Sequence, residues 1–196
     1  MDYNMLEALN PSWFLSLNAT PDTAHSVLVF ARFCAKYLVF IIPITLLYLW
    51  CFRGSLGRIQ AMFCLATILM AMGIAEIVQL FYFHPRPFMV PLGHSWLHHA
   101  PNTSFPSHHG TFFFSAAIAL LVAHVRGAGY LVLATALIVA WSRVFLGVHF
   151  PLDMVGALIV SVVACILVVP LWRRWGDRLT TICETIYFRF LPYRFR

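Results

Sequence analysis

Three long apolar stretches, Val27–Phe52, Ile59–Phe83 and Pro151–Trp172, are each able to cross a bilayer core, and they carry few or no charges. In hydrocarbon each backbone polar group needs a partner within its own segment, so such stretches are helices. Thr111–Val125 and Tyr130–Val148 are shorter, yet each comes near the roughly 20 residues a bilayer core demands. The expected fold is therefore an all-α integral membrane bundle of five transmembrane spans, organised as one domain over residues 1–196. Composition agrees: 61% of residues are hydrophobic and 10% charged, against roughly a quarter charged in soluble domains, and mean hydropathy is +0.82. Met1–Trp13 sets Leu6, Leu9 and Trp13 beside Asp2 and Glu7; it is too short and mixed to span and reads as an interfacial helix. No basic start followed by a short apolar core marks a cleavable signal.

Charge placement orients the bundle. If the spans alternate, one side receives Arg53, Arg58, Arg126 and the tail Arg173, Arg174, Arg178, Arg189, Arg194 and Arg196, while the other receives mainly Arg86 and Arg143. The positive-inside rule makes the first side cytoplasmic. The N-terminus and the loop His84–Phe105 then face outward from a bacterial cytoplasmic membrane, toward the periplasm or cell exterior. The net charge of +6 is explained by this anchoring. It does not suggest nucleic acid, because no basic run carries interleaved stacking aromatics. Cys34, Cys51, Cys64, Cys165 and Cys183 are scattered, without a C-x-x-C pair, and read as small apolar residues.

Chemistry-bearing residues gather where spans meet the outer side. Ser142-Arg143-Val-Phe-Leu-Gly-Val-His149-Phe-Pro-Leu-Asp153 joins two apolar segments. A match to S-R-x5-H-x3-D arises by chance in about one chain in a thousand of this size. His149 and Asp153 are four apart and share a face if the second segment is helical from its start. Asp153 can then accept the Nδ1 proton and leave Nε2 free to attack or coordinate. Arg143, in the turn before, can hold a phosphate or carboxylate bidentately. Upstream, the prolines of His84-Pro85-Arg86-Pro87 keep Arg86 out of a helix interior. Ser107 opens the third span, where free N–H groups and the helix dipole favour an anion. His109, in its first turn, is the expected proton donor. Ser107 can equally serve as an N-cap. Glu76 is costly inside a span unless paired, and lies one turn before Gln79. His94, His98, His99 and His108 read as a solvated loop, with a zinc site as the other reading.

Arg86-Pro87, Pro106-Ser107-His108-His109 and Ser142-Arg143-x5-His149-x3-Asp153 resemble, in order and on one membrane side, the three signature motifs of the type 2 phosphatidic acid phosphatase superfamily. The likeness spans residues 79–153. Two slots depart from it: the first motif's lysine position holds Gln79, and the second motif's glycine position holds His108. Lys36, the sole lysine, is a candidate substitute. Size, the short N-terminal segment and H-P-R-P-F make the chain most similar to bacterial undecaprenyl pyrophosphate phosphatases of the bacitracin-resistance type. The resemblance implies phosphate binding by Arg86, Arg143, Ser107, His108 and Gln79, nucleophilic attack by His149 oriented by Asp153, and proton transfer by His109. It implies no metal and no cofactor, with a polyprenyl pyrophosphate lipid as substrate among the membrane lipids. Phosphatidylglycerophosphate, phosphatidate and lipid A phosphatases or phosphotransferases share the motifs and stay open as alternatives. Outside enzymes, His109, His124 and His149 on helices would suit a bis-histidine haem or metal protein. A transporter would need ionisable residues running through the bilayer, whereas here only Glu76 and Lys36 lie away from one edge.

Overall fold

In the computed structural model the described residues are 3–190, with side chains from 9 to 189. The expectations for the side chains of Asp2, Leu6 and Glu7, and for Arg194 and Arg196, lie outside the described residues. The described chain is all helical: α1 (Tyr3–Leu17), α2 (His25–Tyr37), α3 (Ile41–Phe52), α4 (Gly54–Phe81), α5 (His108–Val122), α6 (Arg126–Phe145) and α7 (Pro151–Phe190), with two short 3-10 turns at Leu38–Phe40 and Pro87–Met89. Among the described residues four stretches are long and apolar enough to cross a membrane: His25–Phe52, α4, α6 and the greater part of α7. α5 is shorter. It is nonetheless the centre of the bundle, packed against α4, α6 and α7, with Phe113, Ala116, Ala117, Ala119 and Leu120 almost wholly buried.

Several boundaries differ from expectation for physical reasons. The first span is not one helix: Pro43 has no N–H for the carbonyl of Val39 and its ring crowds that carbonyl, so the chain tightens into the Leu38–Phe40 turn between α2 and α3. α5 begins at His108, within the segment that Ser107 was expected to open, because Ser107 caps it, its Oγ accepting from the Gly110 N–H at 3.3 Å. α6 stops at Phe145 rather than Val148, with Arg143 in its last helical turn. α7 does not end at Trp172. It runs for 40 residues, about 60 Å at the α-helical rise and twice a hydrocarbon core. Its far end is tied back to α4 by the Arg58–Glu184 ion pair and to α3 by Trp50 against Tyr187, ring centroids 5.5 Å apart.

α1 extends four residues past the expected interfacial segment, and its end enters the core. Phe14 is fully buried and meets Phe150 edge-on at 5.4 Å. Asn10 Oδ1 accepts the Leu152 N–H (3.2 Å) at the head of α7. Asn18 donates to the carbonyls of His94 (2.9 Å) and Phe145 (3.0 Å). Large apolar side chains such as Phe40, Ile44, Leu69, Leu80, Leu137, Ile159 and Ile166 stay exposed around the helices, as a lipid-facing belt requires. The cysteines are unpaired; Cys34, Cys64 and Cys165 are buried, whereas Cys51 is exposed.

Candidate active site

The ends of α4, α6 and α7 that meet the long loop 82–107 also meet the start of α5. Two glycines permit this convergence. At Gly147 φ is +80°, and a Cβ there would lie 2.1 Å from the His94 carbonyl oxygen, so the α6–α7 corner accepts no side chain at this point. At Gly110 a Cβ would lie 2.9 Å from the Cβ of Ala157; its absence lets the head of α5 approach α7 beside Asp153.

His149 is not on a helix. It lies in the corner before α7, and the expected shared helix face is replaced by a cap. Pro151 takes the first helical position, which has no need of an N–H. Asp153, two residues on, reaches back so that its Oδ2 accepts the Phe150 N–H at 2.8 Å. The same Oδ2 lies 3.1 Å from His149 Nδ1 and accepts the Ser104 hydroxyl. Both His149 and Asp153 are almost wholly buried.

The other face of the imidazole is held by Arg86, which is 3% exposed. Its guanidinium donates to the carbonyls of Val148 (2.9 Å) and Thr103 (3.0 Å) and to Asn102 through the carbonyl (3.2 Å) and Oδ1 (3.0 Å). Its Nη1 is also 3.1 Å from His149 Nε2. An arginine has no acceptor, so Nε2 must offer a lone pair and Nδ1 must carry the proton that faces Asp153. Burial, reinforced by Arg86 and Arg143, holds the His149 pKa well below its ordinary value of 6.5. The imidazole is neutral with its lone pair on Nε2, the form a nucleophile needs. Burial also draws Arg86 down to about 10, against the pull of Asp153; it remains a cation at neutral pH.

Arg143 completes the pocket differently. It is 3% exposed, and its Nε and Nη2 find no hydrogen-bond partner among the described residues. Those two N–H groups form the edge that grips an oxyanion bidentately. Leaving a charged donor buried and unpaired costs several kcal/mol, so a native site of this kind calls for an explanation. An anion at this edge supplies one.

Ser107, fully buried, caps α5 and sits against α7, its N–H donating to the Asp153 carbonyl at 3.2 Å. His109 follows in the first turn of α5 and borders the same cavity as His108. Glu76 partners His108, with Oε1 3.1 Å from Nε2. Gln79 donates one amide N–H to the Pro106 carbonyl at 3.0 Å, which ties it to the turn before Ser107, and its amide carries a second N–H. Lys36, exposed on α2, forms no hydrogen bond or ion pair with the site among the described residues. Beside His108 and His109 a cavity of about 200 Å³ is lined by Val39, Met72 and Phe112. Two larger cavities, of about 370 and 290 Å³, lie toward the other end of α4 and α7 and carry no comparable cluster of titratable groups.

Sequence reasoning missed several members of the site. His99, read as part of a solvated loop, packs its ring edge-on to His149 with centroids 6.3 Å apart. Burial first, then Arg86 and Arg143, hold its pKa below the ordinary value, against the hydrogen bond to the Ala100 carbonyl. Asn102, Thr103 and Ser104 form the cradle for Arg86 and Asp153. A run of small polar residues just before Phe105-Pro106 was the available signal. Among the described residues no three His, Cys, Asp or Glu side chains are grouped to hold a metal ion, so the zinc reading of the loop finds no donor set. His124 lies beyond the far end of α5, more than about 20 Å along the axis from His109, which separates two of the three histidines of the haem reading.

A membrane bundle that places a neutral histidine, its carboxylate and two buried arginines at one end defines a class, and comparison with known proteins agrees. Residues 60–177 match the PAP2 superfamily; the chain belongs to that superfamily and is a multi-pass membrane hydrolase of its phosphatase kind. It is 37% identical over 183 residues to YbjG of Escherichia coli (strain K12), provisionally named an undecaprenyl-diphosphatase, covering 93% of this chain and 92% of that protein. It is 28% identical to the undecaprenyl-diphosphatase BcrC of Bacillus subtilis (strain 168), over 95% of this chain and 90% of that one. A Bacillus licheniformis protein named as a bacitracin transport permease, also BcrC, is 27% identical over 69% of this chain and 67% of its own length. Among solved structures, Aquifex aeolicus LpxE superposes with TM-score 0.69 at 21% identity, over 83% of this chain and 95% of that chain. A PAP2-type phosphatidylglycerolphosphate phosphatase from Bacillus subtilis gives 0.62 at 16%, over 87% and 88%. At these identities the two structures speak for the fold.

Proposed function

We propose that the chain hydrolyses undecaprenyl diphosphate to undecaprenyl phosphate and inorganic phosphate at the outer face of a bacterial cytoplasmic membrane, without a metal, through a phosphohistidine. The observation that carries this reading is the unpartnered edge of buried Arg143 in the same pocket as neutral His149. The two closely matched relatives named for undecaprenyl-diphosphatase activity support the choice of lipid.

In the first step the Nε2 lone pair of His149 forms a bond to the terminal phosphorus as the P–O bond to the lipid phosphate breaks. The departing oxygen keeps that electron pair and takes a proton from His109, which enters the step as an imidazolium paired with the anionic diphosphate. Arg86, Arg143, Ser107 and the amides heading α5 hold the non-bridging oxygens, where charge accumulates. His109, now neutral, removes a proton from water. The resulting hydroxide attacks phosphorus, and the N–P bond pair returns to Nε2. Asp153 stabilises the imidazolium character of phosphorylated His149 by accepting from its Nδ1–H. The lipid chain lies along the cavity between Val39, Met72 and Phe112. The concentration of arginines at the opposite helix ends supports an outward-facing site.

The test is phosphate release by detergent-purified protein, with EDTA present, from undecaprenyl diphosphate, phosphatidylglycerophosphate and phosphatidate in parallel. Preference for the polyprenyl diphosphate is expected. Preference for a glycerophospholipid overturns the substrate assignment but keeps the chemistry; release that requires added metal overturns the mechanism. No release from any of the three would leave the transport name of the Bacillus licheniformis relative as the better guide.

A further inference from the structure

His84, which precedes the Arg86 motif, occupies no signature slot, yet it faces the catalytic carboxylate from the side opposite His149. Its Nδ1 lies 3.5 Å from Asp153 Oδ1. Both atoms are buried, and neither has a hydrogen-bond partner among the described residues. The distance is a few tenths of an ångström beyond a formed bond, within reach of a small turn of the ring. That ring is held between Phe150, at 5.4 Å edge-on, and Tyr82, stacked at 6.1 Å. The backbone of His84 is fixed as well: its N–H donates to Thr103 Oγ1 (3.0 Å), and its carbonyl accepts the Ser104 N–H (2.7 Å). The segment that carries His84 is therefore sewn to the segment whose Ser104 hydroxyl donates to Oδ2.

We propose that His84 is a positioning residue for the phosphatase reaction, its Nδ1–H donating to Asp153 Oδ1 so that the carboxylate stays aimed at His149. Three donors already converge on Oδ2: the Ser104 hydroxyl, the Phe150 amide and the His149 ring. Oδ1 has only His84. Without it one carboxylate oxygen is buried and unsatisfied, and the carboxylate is free to rotate away from the geometry that fixes the His149 tautomer. The pair tightens as His149 takes up positive charge, because Asp153 must then keep its full negative charge in a dry pocket.

This inference rests on the phosphatase reading, and two variants separate positioning from packing. His84→Phe keeps an aromatic ring between Tyr82 and Phe150 but removes the donor. His84→Asn discards the ring but places an amide N–H near the Nδ1 position. Positioning predicts that His84→Phe lowers kcat at least about tenfold, the worth of one hydrogen bond to a charged group, with KM unchanged, and that His84→Asn recovers most of it. A packing role predicts the reverse order and would overturn the proposal. A readout independent of turnover is proton–nitrogen NMR of the detergent-solubilised protein with isotope-labelled histidine. A protected Nδ1–H signal that disappears in His84→Phe and shifts in Asp153→Asn is expected; a His84 signal indifferent to Asp153→Asn refutes the contact. Should wild-type protein release no phosphate from any lipid, the phosphatase reading fails, and the NMR result still decides whether His84 holds Asp153.

Discussion

Arg86 Nη1 and His149 Nε2 are 3.1 Å apart, and since the guanidinium can only donate, this contact and the Asp153 contact at Nδ1 together dictate a single neutral tautomer of His149. Arg86 reaches that position because Val148, Thr103 and Asn102 hold its other N–H groups. A lysine keeps the charge but lacks the planar fork that serves these acceptors together. Arg86→Lys is expected to cut kcat/KM for phosphate release roughly a hundredfold, the scale of losing one preorganised donor, as measured by steady-state kinetics.

Arg143 couples function to instability. A buried guanidinium with Nε and Nη2 unpartnered costs folding free energy that an apolar side chain of similar length does not. Arg143→Met should therefore abolish phosphate release while raising stability by about 1–3 kcal/mol, read as a higher thermal midpoint in detergent. Millimolar inorganic phosphate should raise the midpoint of wild type and leave that of Arg143→Met unmoved.

Acid should weaken the fold before it charges the nucleophile. His149 and His99 both have folded pKa values depressed below 6.5, so below that pH the unfolded chain binds protons that the folded protein refuses. Stability is complete above 6.5 and is lost as pH falls from there toward the folded values. Thermal midpoints should drop between about pH 7 and about pH 5, and His99→Gln should flatten part of that slope.

Gly147 offers a purely geometric check. With φ of +80° and the His94 oxygen 2.1 Å from where a Cβ would sit, Gly147→Ala adds about 1–2 kcal/mol of backbone strain and pushes the loop off the corner. Activity should fall more than stability, seen by comparing kcat with the thermal midpoint, because the displaced loop carries Asn102, Thr103 and Ser104.

What was legible in the sequence was local. Hydropathy exposed the long apolar helices, and the spacing from Ser142 to Asp153 exposed the corner, because each depends on residues near one another in the chain. Pro106-Ser107 marked the head of α5 for the same reason. The cradle was hidden because its contacts are distant: Ser104 meets a carboxylate 49 positions away, and Asn10 accepts from the N–H of Leu152, 142 positions later, at the head of α7. His99 and His84 were invisible as site residues, since only folding of the loop decides which of its histidines turn inward. The bond from the Gln79 amide to the Pro106 carbonyl, 27 positions away, was equally hidden. The kink before α3 could have been read from Pro43.

The most direct test is to trap the intermediate. Protein is mixed with undecaprenyl diphosphate labelled in the terminal phosphate and quenched in alkali, where phosphohistidine survives. Nucleophilic attack by His149 predicts label on that residue in wild type and none in His149→Ala. Normal turnover by His149→Ala, or label on any other residue, would contradict it.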